Sequence, residues 1–139
     1  GHSRMDGRQI YSLAHNLSLA QQYVEGQGAG FVLAIPPNKN TLYGEHMPYY
    51  ASHIADPTHN IDLLAPKLQE LGVTYADLLG MFREEQEVLY LKRDSHWNMK
   101  GARMAYNCMM DALGDAHEDY GDAPAARAKD RDGDLNRML

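Results

Sequence analysis

Residues 94 to 98 read Asp94, Ser95, His96, Trp97 and Asn98: an acid, a hydroxyl, an imidazole, the single indole of the chain and an amide, side by side. In an extended or turning segment, residues two apart can project to the same side. Asp94 can then accept the Nδ1–H of His96, stabilise the imidazolium and leave Nε2 to act as general base on a hydroxyl. A helix starting at Asn98 would bring its N-terminal dipole close, which favours an ionised Asp94. The same residues also suit a plain strand-to-helix loop, with Asp94 and Ser95 in turn or capping positions and His96 exposed. Spacing alone leaves both readings standing.

A second constellation lies in AIPPNKNTLYGEHMPYY, residues 34–50. Here Asn38 and Lys39 directly follow an apolar run, at the edge of a sheet where catalytic groups of α/β proteins gather. Asn38 could orient a loop or donate to an oxyanion, and Lys39 could meet an acid or a substrate oxygen. Their plainer roles are a turn asparagine and a solvated lysine. Tyr43, Tyr49 and Tyr50 could form a sugar-stacking wall, or could pack a long loop onto the domain. His46, His53, His59 and His96 invite a metal-site reading, but no two of them have the i, i+4 spacing of a helical ligand pair, so no metal is expected. GQGAG (26–30) precedes a strand where a phosphate cradle would follow one, and its glycines read as a turn. Cys108 is the sole cysteine, so no internal disulfide can form; it sits in an apolar helical pattern as a small hydrophobe.

The elements that must hold these groups follow from periodicity. Ile10, Leu13, Ala14, Leu17, Ala20 and Val24 have helical spacing over residues 8–25. FVLAI (31–35) is a continuous apolar run, the pattern of a strand buried on both faces, stopped by Pro36 and Pro37. A loop over 38–60 leads to a helix, IDLLAPKLQEL, capped by Asn60 and expected to kink or shed its first turn at Pro66. A second strand is predicted at 73–77, a helical turn at 79–85, a third strand at 88–92 (VLYLK) and a helix over 98–113 with Asn98 as N-cap. Apolar strands alternating with helices predict a parallel sheet in an α/β layered fold, small for its class.

The chain has 139 residues, 44% hydrophobic and 23% charged, enough for one domain with a core. A formal net charge of −6 argues against a nucleic-acid surface, which needs clustered Lys and Arg. No apolar run is long enough to span a membrane. Residues 1–7, beginning Gly-His-Ser, read as a leader remnant; residues 8–114 read as the α/β domain; residues 115–139 read as a polar tail or the start of a further segment.

VLAIPPNKNTLYGEHMP (32–48) and RDSHWNMKGA (93–102), taken together, resemble the PP-N-K…Y…P and D-x-H-W-N…G-A segments of the SGNH-hydrolase superfamily, in its alginate O-acetyltransferase-like (AlgX/AlgJ-like, DHHW) branch. GVTYADLLGMF before the second motif and GDL at 133–135 fit the same layout, so the resemblance runs from Gly30 to Leu135. It implies a three-layer α/β sandwich with a mostly parallel sheet, SGNH- or flavodoxin-like, here incomplete. It implies Ser-His-Asp acyl transfer, as an O-acetyltransferase or acetylesterase without a cofactor, on hydroxyls of a bacterial extracellular polysaccharide or cell-wall glycan. An extracytoplasmic location, periplasmic or cell-surface, goes with that substrate. Asp94 and His96 take the acid and base roles, with Asn38, Lys39, Tyr43, Trp97 and Asn98 as candidates for contact with substrate or oxyanion.

In that family the nucleophile comes from a G-D-S motif on the C-terminal side. Here Gly121-Asp122 runs into Ala123 and Gly133-Asp134 into Leu135. Ser95 stands between the acid and the base, where its chain direction opposes theirs. The expectation is therefore the N-terminal part of such a domain, inactive alone, with its serine outside these residues and an open sheet edge through which copies could self-associate. The alternative is a non-catalytic carbohydrate-binding or assembly module of the same fold. A metal-dependent hydrolase built on His96 and the loop histidines is a third. The acetyl donor and the particular polysaccharide are left open.

Overall fold

A computed structural model of the chain describes residues 4–44, 60–115 and 117–120. His46, His53, His59, Tyr49 and Tyr50 lie outside the described residues, as do residues 116 and 121–139 of the 115–139 segment. The elements run in the order α1 (Gly7–Gly26), β1 (Leu33–Ala34), α2 (Lys39–Leu42), α3 (Asn60–Glu70), β2 (Tyr75–Ala76), α4 (Leu78–Glu84) and α5 (Met99–Leu113).

Helix α1 starts in a reciprocal capping box. Asp6 accepts from the Gln9 N–H at 2.8 Å, and the Gln9 side chain accepts from the Asp6 N–H at 2.9 Å. Its apolar stripe delivers Ile10 and Ala14 to full burial against Leu64 and Leu68 of α3 and Val73. Gln21 then ties α1 to the turn beyond α3, donating to the Gly72 carbonyl at 3.0 Å and accepting from the Thr74 N–H at 2.7 Å. That turn depends on Gly72 at φ 71°, a conformation other residues adopt only with strain. Helix α3 runs unbroken through Pro66, keeping the first turn that the proline was expected to shed. Burial of Leu64 and Leu68 on either side of Pro66 holds both halves to the same surface, and the Asn60 side chain accepts from the Met5 N–H at 2.8 Å, anchoring the first turn.

β1 and β2 pair in parallel with Leu33 opposite Tyr75 and Ala34 opposite Ala76. Side chains alternate across a strand: Leu33 and Tyr75 join the α1–α3 cluster, whereas Ala34 joins a second cluster of Leu78, Phe82, Leu89, Tyr90 and Ala105 from α4, α5 and the segment between them. Among the described residues, helices thus cover both faces of a two-stranded parallel sheet, a minimal and incomplete three-layer α/β fold. The second cluster is the one that matters for chemistry. Its Leu89 is wholly buried, and burial of that kind contributes on the order of 2 kcal/mol per leucine.

Two expectations are corrected. FVLAI is half-buried to exposed along its whole length, not enclosed on both faces, because a two-stranded sheet offers too little width to shield it. VLYLK is not a third strand of the sheet: among the described residues its only ladder contact is an antiparallel bridge from Tyr90 to Trp97, seven residues on. The Leu91 N–H donates to the His96 carbonyl at 3.1 Å and the Asn98 N–H to the Leu89 carbonyl at 2.7 Å. The segment from Leu89 to Asn98 therefore folds back on itself as a small hairpin and hands the chain directly to α5.

Candidate active site

Asp94 and His96 occupy the tip of this hairpin. The Asp94 Oδ1 accepts from the His96 backbone N–H at 2.9 Å and lies 2.5 Å from the His96 ring Nδ1. The first contact is an Asx turn, which aspartate forms readily with the backbone two residues on. It brings the imidazole of residue i+2 back over the carboxylate. The turn reading and the acid–base reading of D-x-H are therefore one geometry: the hydrogen bond that makes the turn also delivers the ring. An ionised carboxylate only accepts, so this contact favours the tautomer with its proton on Nδ1 and its lone pair on Nε2. The Asp94 side chain is 14% exposed and that of His96 74%, so the acid is screened beneath a ring that faces outward. Ser95 is exposed beside them.

The segment that follows β1 grips this hairpin at three heights. Pro37, buried, receives a hydrogen bond on its carbonyl from the Tyr90 hydroxyl. The Tyr43 hydroxyl accepts from the Leu89 N–H at 2.9 Å. Between them, the Lys39 ammonium donates to the carbonyls of Leu91 (2.7 Å), Lys92 (3.2 Å) and Asp94 (3.1 Å). Asn38, in turn, caps α2 by accepting from the Asn40 N–H at 3.0 Å. The two motifs, more than fifty residues apart, are thus a hairpin and its clamp.

Aromatic packing completes the scaffold. Trp97 Nε1 donates to the Tyr90 hydroxyl at 3.0 Å, and its ring meets Phe82 edge-on at a centroid distance of 5.5 Å. Tyr43 meets Tyr90 in the same manner. Burial pushes the Tyr90 hydroxyl above its ordinary pKa, opposed by the hydrogen bond from Trp97, so it stays a neutral donor to Pro37. On the other side of the hairpin Asn98 caps α5, accepting from the Gly101 N–H at 2.9 Å while its amide donates to the Val88 carbonyl at 2.7 Å. Lys100 reaches Glu87 at 2.9 Å and Glu85 at 3.3 Å. The hydrogen bond to Glu87, followed by that to Glu85, raises the Lys100 pKa.

Of the residues singled out in the sequence, Asp94, His96, Lys39, Tyr43, Trp97 and Asn98 all meet on this one hairpin, while Asn38 stays behind in its helix cap. Tyr90, Pro37 and Gly101 were not singled out, yet each positions it. The signal for Tyr90 was an aromatic in an apolar run with the sole tryptophan seven residues later; nothing in the sequence marks the Pro37 carbonyl. Two shallow clefts, one by Arg4, Met5 and Lys67 and one by Asp62, Tyr75 and Asp77, are not lined by Asp94 or His96. No cluster of three metal-ligating side chains occurs among the described residues, and no described helix is long and apolar enough to cross a membrane. Cys108 is only partly buried, against the second cluster, and burial raises its thiol pKa.

A family model described as SGNH hydrolase-like domain, acetyltransferase AlgX, matches residues 3–139. The chain is 31% identical over 84 residues to the probable alginate O-acetylase AlgJ of Pseudomonas aeruginosa, covering 59% of this chain and 21% of that protein. It is 35% identical over 99 residues to the probable alginate O-acetylase AlgJ of Pseudomonas syringae pv. tomato, covering 66% of this chain and 25% of that protein. The chain spans a quarter or less of the length of these curated relatives. No solved structure matches it. With the match extending over nearly every residue, the Asp94–His96 hairpin and its clamp sit in a chain that belongs to the SGNH hydrolase-like, AlgX-type acetyltransferase domain family.

Proposed function

We propose that this chain is part of a polysaccharide O-acetyltransferase or acetylesterase working by Ser-His-Asp acyl transfer, with Asp94 as the acid that orients and His96 as the base. The observation that carries the reading is the 2.5 Å approach of Asp94 Oδ1 to His96 Nδ1. With Asp94 ionised, that contact supports the tautomer whose Nε2 can take a proton. The nucleophilic serine comes from a G-D-S segment outside these residues, consistent with a chain that covers only a quarter or less of its relatives.

In the first half-reaction His96 Nε2 takes the serine hydroxyl proton as Oγ attacks the acetyl carbonyl of the donor. Collapse of the tetrahedral adduct expels the donor's leaving group, which receives that proton from the imidazolium and leaves an acetyl-serine. In the second, His96 deprotonates a hydroxyl of the acceptor, whose oxygen attacks the acetyl-serine; the sugar ester forms and the proton returns to serine. Water as acceptor gives the esterase outcome. The relatives' names point to a polysaccharide acceptor, so hydroxyls of a bacterial extracellular polysaccharide or cell-wall glycan are the substrate class, met outside the cytoplasm. Trp97 and Tyr43 direct their polar atoms and rings into the scaffold, which favours support of the hairpin over contact with substrate for these two residues.

The test is turnover of an acetyl ester by the longer protein that carries this segment. His96→Ala should lower kcat by about 10²–10⁴-fold, the range for a positioned general base. Unchanged turnover would remove His96 from the reaction.

A further inference from the structure

We infer that Lys39 is a positioning residue whose ammonium, by binding three backbone carbonyls of the hairpin, holds the Asp94 carboxylate against His96. The functional meaning of this inference rests on the acyl-transfer reading above; the structural claim does not.

The carbonyls of Leu91, Lys92 and Asp94 converge on one point, and the Lys39 Nζ occupies it at 2.7, 3.2 and 3.1 Å. An ammonium has three N–H donors, and here three carbonyls receive them. Three carbonyl dipoles aimed at one place repel one another unless a cation stands there, so the shape of the 91–94 turn depends on that charge. A lysine is suited to it: a compact point charge can serve converging oxygens, whereas the planar fork of arginine serves parallel ones.

Asp94 is gripped from both ends. Its carbonyl is held by Lys39 and its Oδ1 carries both the His96 N–H and the His96 ring. Lys39 itself is carried into place by β1 and by the Asn38 cap, with Pro37 and Tyr43 fastening the flanks to Tyr90 and Leu89. Of the contacts made by Pro37, Lys39 and Tyr43, that of Lys39 reaches the turn that bears the acid. Without the ammonium the three carbonyls would turn toward water, and the Asp94 carboxylate would lose its bearing on the ring.

The tautomer of His96 reports this directly. In ¹⁵N-labelled chain, long-range ¹H–¹⁵N spectra of the neutral imidazole should show the Nδ1–H form, with Asp94→Asn supplying the released reference. Lys39→Met should shift the His96 ring nitrogens most of the way to that reference, while far-ultraviolet circular dichroism and Trp97 emission stay native. If Lys39→Met does not fold, Lys39→Gln, a neutral head with two donors, decides by the same spectrum. A folded variant whose His96 spectrum matches the parent overturns the inference. In the longer protein the variant should also lower kcat on the order of 10²-fold with KM kept, the effect of a reacting group displaced by about an ångström. The two readings separate cleanly: loss of the tautomer with activity insensitive to His96→Ala sinks only the acyl-transfer reading, and an unmoved tautomer with activity that needs His96 sinks only the role of Lys39.

Discussion

Gly101→Ala offers a substitution in which two known effects oppose each other and the structure says which wins. Alanine in place of glycine within a helix gains up to about 1 kcal/mol of helix propensity. At Gly101, however, the new Cβ would stand 2.8 Å from the Leu89 carbonyl oxygen, 3.2 Å from the Leu89 Cβ and 3.3 Å from the Trp97 Cβ. The closest of these is backbone. That carbonyl already accepts the Asn98 N–H at 2.7 Å, the bond that closes the hairpin into α5, so it cannot retreat without breaking its own contact. Overpacking of this kind costs about 1–3 kcal/mol, and weakening the closing hydrogen bond adds about 1 kcal/mol. Subtracting the helix gain leaves a net loss of about 2 kcal/mol, or a fall in Tm of about 6–10 °C for a chain of this size. Gly26→Ala is the control: its Cβ would meet nothing within 4 Å, so only the propensity term acts and stability should hold or rise by a few tenths of a kcal/mol. Calorimetry or thermal circular dichroism of the two variants reads the signs, and the emission of Trp97 should move in the first only. If Gly101→Ala is as stable as the parent, α5 does not sit against the hairpin as described and the positioning argument fails with it.

Two further substitutions probe the same cluster and the opposite face of the sheet. Tyr90→Phe removes the hydroxyl that donates to Pro37 and accepts from Trp97. It should cost about 2 kcal/mol for the two groups left unmatched, seen as a lower urea midpoint with altered Trp97 emission; an unchanged midpoint would show that the Pro37 clamp carries no weight. Burial, with Asp77 next in effect, pushes the Tyr75 phenol from 10.0 up to about 12. The folded state therefore keeps this proton longer than the unfolded chain does, so its stabilising effect is whole below pH 10 and drains away as pH rises toward 12. The loss is well under the ~2.7 kcal/mol such a rise would carry for a fully buried group, because part of the ring meets solvent. Tyr75→Phe should flatten the fall in stability between pH 10 and 12, and an identical alkaline slope in both proteins would contradict the assignment.

The sequence revealed those features whose causes are local. Helices α1 and α5 were legible because their apolar spacing, and for α5 the Asn98 cap, lie within a turn or two of one another. The parallel pairing of Leu33–Ala34 with Tyr75–Ala76 was legible as two apolar runs separated by a helix. VLYLK was misread because β-branched and aromatic residues suit a hairpin arm as well as a sheet strand; what decides is the partner. Here the partner is Trp97, seven residues away, turned back by the Asx geometry of Asp94. Proline at position 66 misled for a related reason: the loss of one backbone bond was outweighed by burial of Leu64 and Leu68. Nothing local could show that Lys39 would bind carbonyls more than fifty residues on, or that the Tyr43 hydroxyl would meet the Leu89 N–H.

That long-range pairing explains why PPNK and DSHWN occur together in one chain. Three residues in or just after the first motif have partners in or beside the second: Pro37 with Tyr90, Lys39 with the carbonyls before and at Asp94, Tyr43 with Leu89. A ten-residue hairpin has too few contacts to fix the Asp94–His96 pair by itself, since isolated hairpins are marginal in water. Fastened at three points to the end of a sheet strand and closed by Gly101 against α5, it becomes part of the second core cluster instead. Asp94 lies under cover and His96 outside it, so the rigid half of the pair is the acid, and the ring is presented to whatever segment approaches. An arrangement of this kind suits the base role proposed for His96, which needs an exposed ring held by a covered acid.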